Sequence, residues 1–249
     1  MIRLDCTFFS SCLGRDAHIT VLLPDKAVGS GRKTFPVLYL LHGLTDSGSS
    51  WLEKTSLIRY ADAHSLAVVL PNAVRSFYCD MVYGDAYYTH ISQEVPAFCE
   101  ATLPISSDPA DRYIAGNSMG AYGALKIALK EPGRFSKVGL FSGVLDVQQM
   151  VDEMPELCRD WLLCFGGNQV SKSEDPLYLM TKADPLPEIY HYCGDGDFLL
   201  DGNRTFCRLC RERNIPITSH WEPGGLHEWR FWDRQLPALL DWLDHKERT

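Results

Sequence analysis

Gly116-Asn117-Ser118-Met119-Gly120 places a serine between two glycines, each two positions away. A serine hydroxyl attacks poorly unless the chain exposes it, a base takes its proton, and donors receive the charge that develops on the attacked carbonyl. Glycines at those two positions suit a turn too tight for side chains. Upstream, Arg112–Ala115 reads as a short strand. Downstream, Ala121–Lys130 is a run of strong helix formers that stops at Pro132-Gly133. Strand, serine, helix is the context of a nucleophile elbow, in which Oγ stands above the sheet and the helix start aims N–H groups at the reacting atoms. The alternative is an ordinary glycine turn, and partners elsewhere decide between them.

A nucleophilic serine needs a base, and the base needs an acid to orient it. Of eight histidines, His18, His191 and His220 fall inside strand-like runs, and His64, His90 and His245 in or beside helical ones. His42 closes a strand directly before Gly43. His227 follows Glu222-Pro223-Gly224-Gly225-Leu226, after the last strand-like run. A histidine on such a glycine-rich loop can swing its ring over the serine, so His227 is the expected base.

For the acid, Gly194-Asp195-Gly196-Asp197-Phe198-Leu199-Leu200-Asp201-Gly202 offers three aspartates. Asp195 reads as turn chemistry, and Asp201 as the first turn of a helix. Asp197 stands between turn and apolar anchor, where a carboxylate can point inward, and is the expected acid. The same run faintly resembles a calcium loop, but Gly202 is not at its sixth position and no glutamate stands at the twelfth. The oxyanion donors expected are the backbone N–H groups of Met119, just after the serine, and Leu44, in the loop Leu41-His42-Gly43-Leu44-Thr45-Asp46.

Two motifs are set aside. Gly29–Thr34 ends like a phosphate-binding loop, but Arg32 stands where that motif needs a glycine, and the run precedes a strand. Cys207-Arg208-Leu209-Cys210 is a lone Cys-x-x-Cys in a helical stretch, without the second pair a zinc site wants. No metal or cofactor is therefore expected.

These residues need elements to bring them together. The chain has 249 residues, enough for one large α/β domain spanning 1–249. The predicted strands are 6–13, 18–23, 36–42, 66–70, 112–115, 137–141, 188–193 and 217–221. The first two read as an antiparallel hairpin turning at 14–17. Near-continuous apolar runs such as Val37–Leu41 and Leu66–Leu70 fit parallel strands buried on both faces. From the third strand onward helical sequence follows each strand, which predicts a mostly parallel eight-stranded sheet with helices on both faces. In such a sheet the reactive groups sit on loops at the carboxyl ends of strands, which is where Leu44, Ser118, Asp197 and His227 fall. The stretch 142–187 contains two helical patterns, 144–154 and 157–165. It is either a small cap over the site or an elongated crossover.

Composition limits the partners. The net charge is −8, which argues against nucleic acid or an anionic membrane surface. Nine cysteines, an odd number mostly within apolar runs, suit free thiols in a reducing compartment. No signal-peptide pattern opens the chain and no apolar run approaches the ~18 residues of a membrane span. The expectation is a cytoplasmic protein acting on a small molecule. A homo-oligomer is left open.

The motifs also carry a resemblance. The chain resembles the esterase D-type esterases of the α/β-hydrolase superfamily, most of all the tributyrin esterase branch. The matching pieces are His42-Gly43 with Trp51, Ser76-Phe77-Tyr78, Tyr83-Gly84, Glu94-Val95-Pro96, and Asp111-Arg112 leading into Gly116–Gly120. Phe141-Ser142-Gly143, Gly194 with Asp197, and His227-Glu228-Trp229 with Phe231-Trp232 complete them. The order Ser118, Asp197, His227 matches that superfamily's order. Where the family usually has a second glycine after Ser-Met-Gly, this chain has Ala121. The resemblance implies the α/β-hydrolase fold and a serine carboxylesterase acting on short acyl esters, without cofactor. Its relatives include S-formylglutathione hydrolases, feruloyl and acetylxylan esterases and mycolyltransferases, so a thioesterase or a feruloyl or acetylxylan esterase is the alternative. A non-catalytic binding module would be marked by a missing triad member, and none is missing.

Overall fold

The computed structural model describes residues 1–25 and 34–244. His245 and all but Thr34 of the 29–34 stretch lie outside the described residues.

Eight strands form one sheet. They are β1 (Ile2–Ser10), β2 (Arg15–Leu23), β3 (Val37–Leu41), β4 (Ala67–Pro71), β5 (Arg112–Asn117), β6 (Lys137–Phe141), β7 (Glu188–Gly194) and β8 (Ile217–Glu222). Their spatial order is β1-β2-β4-β3-β5-β6-β7-β8. β1 and β2 pair antiparallel, as do β2 and β4; every other pair is parallel. Two-faced burial explains the apolar runs. Along β3, Val37, Tyr39 and Leu41 enter one core while Leu38 and Leu40 enter the other, on the opposite face.

The α-helices among the described residues are α1 (Ser50–Lys54), α2 (Leu57–Asp62), α3 (Tyr87–Thr89), α4 (Val95–Thr102), α5 (Met119–Lys130), α6 (Val147–Glu153), α7 (Cys158–Phe165), α8 (Pro176–Leu179), α9 (Leu200–Glu212) and α10 (Trp229–Asp244). α5 and α9 pack with the larger core, and α1, α2 and α10 with the other. α6, α7 and α8 all come from the 142–187 stretch.

The first hairpin corrects the sequence reading. β1 begins at Ile2 rather than Cys6, and the turn falls on 11–14, where Gly14 takes φ 63°. Leu4, Cys6 and Phe8 lean onto the core while Asp5 and Thr7 stay exposed. Polar residues at every second position of an edge strand concealed its start. In the other strands the differences are of one or two residues, and the helical pattern 144–154 narrows to α6 at 147–153. β5 runs on to Asn117, up to the serine itself.

The chain leaves β3 for β4 on one side and returns to β5 on the other. This reversal opens a crevice beyond the carboxyl ends of β3 and β5, the usual binding place in an open α/β sheet.

Candidate active site

Ser118 stands in that crevice. Leu41, the last residue of β3, pairs with Gly116 of β5. Backbones meet here without room for side chains. A Cβ on Gly120 would lie 2.4 Å from the Leu41 carbonyl oxygen, and one on Gly116 would lie 2.5 Å from the Gly120 carbonyl carbon. The turn holds Ser118 at φ 55°, ψ −119°, a conformation costly for any residue with a Cβ. Three backbone bonds fix it. Its N–H donates to the Phe141 carbonyl at 2.9 Å, and its carbonyl accepts from Tyr122 N–H at 3.2 Å and Val144 N–H at 3.3 Å.

Asp197 and His227 meet on the loops that follow β7 and β8. His227 Nδ1 lies 2.9 and 3.0 Å from the two carboxylate oxygens of Asp197. The Asp197 side chain is wholly enclosed and also accepts the Leu199 N–H at 2.9 Å. A buried carboxylate with these donors has one rotamer open to it. The imidazole packs against Phe198, with ring centroids 4.5 Å apart, and edge-on against Trp232 at 4.9 Å. With Nδ1 engaged, Nε2 is the nitrogen left for proton transfer. The other two aspartates go elsewhere. Asp195 is exposed and accepts the Gly224 N–H at 2.7 Å. Asp201 is exposed on the first turn of α9, 3.5 Å from Arg204.

Ser118, His227, Gly43 and Leu44 line one cavity of about 430 Å³. His42 shapes its edge. The imidazole is fully buried, its Nδ1–H donates to the Gly43 carbonyl at 2.8 Å, and its Nε2 accepts the Ala73 N–H at 2.9 Å. Burial lowers its pKa, so the ring is neutral and its tautomer set. Because the Gly43–Leu44 peptide is planar and trans, holding that carbonyl directs the Leu44 N–H the opposite way. Met119 opens α5, and its N–H belongs to the helix's unpaired first turn.

Other cavity residues escaped sequence reading. Met150, Met154, Glu156 and Leu157 come from the 142–187 stretch, and Phe198 and Trp232 line the wall beside His227. Phe198 and Trp232 lie in sequence near Asp197 and His227, but nothing local turns them toward the cavity, and the others arrive from a separate stretch. Trp229 also lines the cavity, whereas Trp51 does not. Trp51 is fully buried behind it, its ring edge-on to Trp229 at 4.9 Å and its Nε1–H on the Leu41 carbonyl at 3.0 Å. Lys54 lies at the cavity, 2.8 Å from Asp46. A larger groove of about 730 Å³ runs along α9 and β8, but Ser118 and His227 are not part of it.

The 142–187 stretch is anchored. Arg75 makes two bonds to Asp160 of α7, at 2.8 and 2.9 Å. The buried Lys126 ammonium of α5 lies 2.6 Å from Glu174, just before α8, and Lys130 lies 2.9 Å from the other carboxylate oxygen. Burial by itself would raise the Glu174 pKa. Lys126 and Lys130 outweigh it and hold the pKa down at about 2.

A family model described as "Putative esterase" matches residues 10–243. The chain belongs to that family. This esterase is a serine hydrolase acting on esters, with the α/β-hydrolase fold. It is 27% identical to an acetyl esterase of Caldicellulosiruptor saccharolyticus, over 98% of each chain. The fluorophosphonate-binding serine hydrolase F of Staphylococcus aureus, solved with substrate bound, superposes with a TM-score of 0.90 at 32% identity, over 98% of this chain and 99% of that one. An S-formylglutathione hydrolase of Staphylococcus aureus, solved as the apoenzyme, gives 0.88 at 31% identity, again over 98% and 99%. Among the described residues no helix of the esterase is long and apolar enough to cross a membrane, and no three His, Cys, Asp or Glu side chains are grouped to hold a metal ion.

Proposed function

We propose that the esterase hydrolyses short-chain acyl esters, with Ser118 as nucleophile, His227 as base and Asp197 as the acid that orients it. The observation that carries this reading is the two-oxygen contact of Asp197 with His227 Nδ1, while His227 and Ser118 line the same cavity. His227 Nε2 takes the Ser118 proton as Oγ attacks the ester carbonyl carbon. The Leu44 and Met119 N–H groups receive the oxyanion. His227 returns the proton to the leaving alkoxide, which departs as alcohol. Water, deprotonated by His227 in turn, releases the acid and restores Ser118. No cofactor enters these steps.

Cavity shape supports a small acyl group. Trp229, Trp232, Phe198 and Leu157 line a space of about 430 Å³. The stretch 142–187 acts as a fixed cap that supplies one wall, held by Arg75–Asp160 and Lys126–Glu174. Tributyrin-type esters are the expected substrates. A second reading is thioester hydrolysis of the S-formylglutathione type. It draws on the likeness to the Staphylococcus aureus hydrolase.

Turnover of p-nitrophenyl acetate and butyrate beside S-formylglutathione separates the two. The ester reading expects the higher kcat/KM on the esters. A kcat/KM at least ~10-fold higher on the thioester would replace it with the second reading. Labelling of the wild type, but not of Ser118→Ala, by a fluorophosphonate probe tests the nucleophile itself.

A further inference from the structure

Behind Asp197 lies a buried polar chain that the proposed chemistry does not use. Asn203, on α9, is fully buried. Its Nδ2 donates to two backbone carbonyls, Leu199 at 2.8 Å and Gly143 at 2.9 Å. Its Oδ1 faces His191 Nε2 at 3.0 Å. Only this orientation of the amide lets donors meet acceptors, so Nε2 carries the ring proton. His191 Nδ1 is then an acceptor, and the Ser219 hydroxyl stands 2.9 Å away to donate. Burial pushes the His191 pKa down to about 4, in keeping with a neutral ring.

Both carbonyls belong to loops of the site. Leu199 is clamped at both ends. Its N–H donates to Asp197 Oδ1 at 2.9 Å, and its carbonyl accepts from both the backbone and the side chain of Asn203. Gly143 precedes Val144, whose N–H holds the Ser118 carbonyl, and follows Ser142, whose Oγ accepts the Trp232 indole N–H at 3.1 Å. One amide therefore ties the loop that carries Asp197 to the loop that braces Ser118 and Trp232.

We infer that Asn203, oriented by His191, is a positioning residue for the esterase reaction, fixing the Asp197 loop against the Gly143 loop. The inference rests on the reading of Asp197 as the acid. Without the side-chain amide the Leu199 carbonyl keeps its backbone bond from Asn203 N–H but is no longer tied to the Gly143 carbonyl, so the loop that carries Asp197 can shift against the loop that braces Ser118. A displacement of about 1 Å at such a contact is enough to slow turnover about 10²-fold.

The experiment is a double-mutant cycle on p-nitrophenyl acetate hydrolysis, with thermal melting of each variant. Asn203→Ala is expected to lower kcat roughly 10- to 100-fold with KM changed less than about threefold. In the Asp197→Asn background the same change should cost less than about threefold more, because the group it positions is already disabled. Equal losses in both backgrounds, or a lowered Tm with kcat intact, overturn the inference. An Asp197→Asn single variant near wild-type activity would instead overturn the acid assignment, a separate outcome. Should Asn203→Ala fail to fold, His191 decides. His191→Gln keeps an N–H near the position of Nε2 and should recover most of the kcat that His191→Leu loses. Equal kcat in those two variants also overturns the inference.

Discussion

Gly194 and Gly225 touch: a Cβ on Gly194 would lie 2.2 Å from the Gly225 carbonyl oxygen. Gly194 ends β7 and leads to Asp197, while Gly225 follows β8 and leads to His227. The Gly196 N–H closes the contact on the same Gly225 carbonyl at 2.9 Å. The Asp197–His227 hydrogen bonds thus depend on two loops whose backbones are in contact. Gly194→Ala should force these loops apart, lowering kcat/KM by at least ~10-fold and reducing the Tm. Steady-state kinetics and a melting curve check both, and unchanged kinetics would show that the loops have slack.

Ser118→Ala should fold as the wild type does and lose about 10⁴-fold or more in turnover, because the nucleophile has no substitute. Titrating active sites with p-nitrophenyl acetate should give a burst for the wild type and none for the variant. More than a tenth of wild-type activity in the variant would rule out the covalent route.

Replacing the three aspartates one at a time tests the acid assignment. Asp197→Asn should cost on the order of 10²–10⁴ in kcat by favouring the wrong tautomer of His227. Asp195→Asn and Asp201→Asn should cost little, since both side chains are exposed and away from the imidazole. Greater sensitivity at Asp195 or Asp201 would move the acid to that position.

Acyl-chain preference should peak at about two to four carbons and fall beyond, as the space beside Trp229 and Leu157 fills. Met154→Ala removes a wall residue from the cap side and should shift the optimum toward longer chains. The measurement is kcat/KM for p-nitrophenyl acetate, butyrate, octanoate and palmitate. A wild-type maximum at octanoate or above would refute the small cavity without touching the triad.

The Lys126–Glu174 anchor should respond to acid. The Glu174 pKa is held at about 2 in the folded protein, below an ordinary unfolded glutamate near 4.3. A depressed carboxylate stabilises the fold above its unfolded pKa, and that contribution is lost as pH falls from about 5 toward 2. Glu174→Gln should therefore lower the Tm at pH 7 and flatten its decline over that range. A variant whose Tm stays parallel to the wild type from pH 7 to 3 would count against the Lys126–Glu174 pair as an anchor.

The order of strands and helices and the positions of Ser118, Asp197 and His227 on loop ends were legible in the sequence. Each rests on local physics. Apolar runs mark strands buried on both faces, helix formers mark α5, and two glycines two residues from a serine mark a turn without room for Cβ atoms. The start of β1 was not legible, because an edge strand with polar residues on one face lacks the continuous apolar run. Only the tertiary structure decided that Asp197, rather than its two neighbouring aspartates, meets His227, since that depends on loop contact across two strands. It likewise placed Trp51 behind Trp229, and brought Met150, Met154 and Leu157 in from the 142–187 stretch. The polar chain from Ser219 through His191 and Asn203 to Gly143 joins residues distant along the sequence, so no local spacing could reveal it. Local sequence sets which elements form and where a reactive side chain can stand; which side chains then meet is a property of how the strands are ordered and how closely their loops pack.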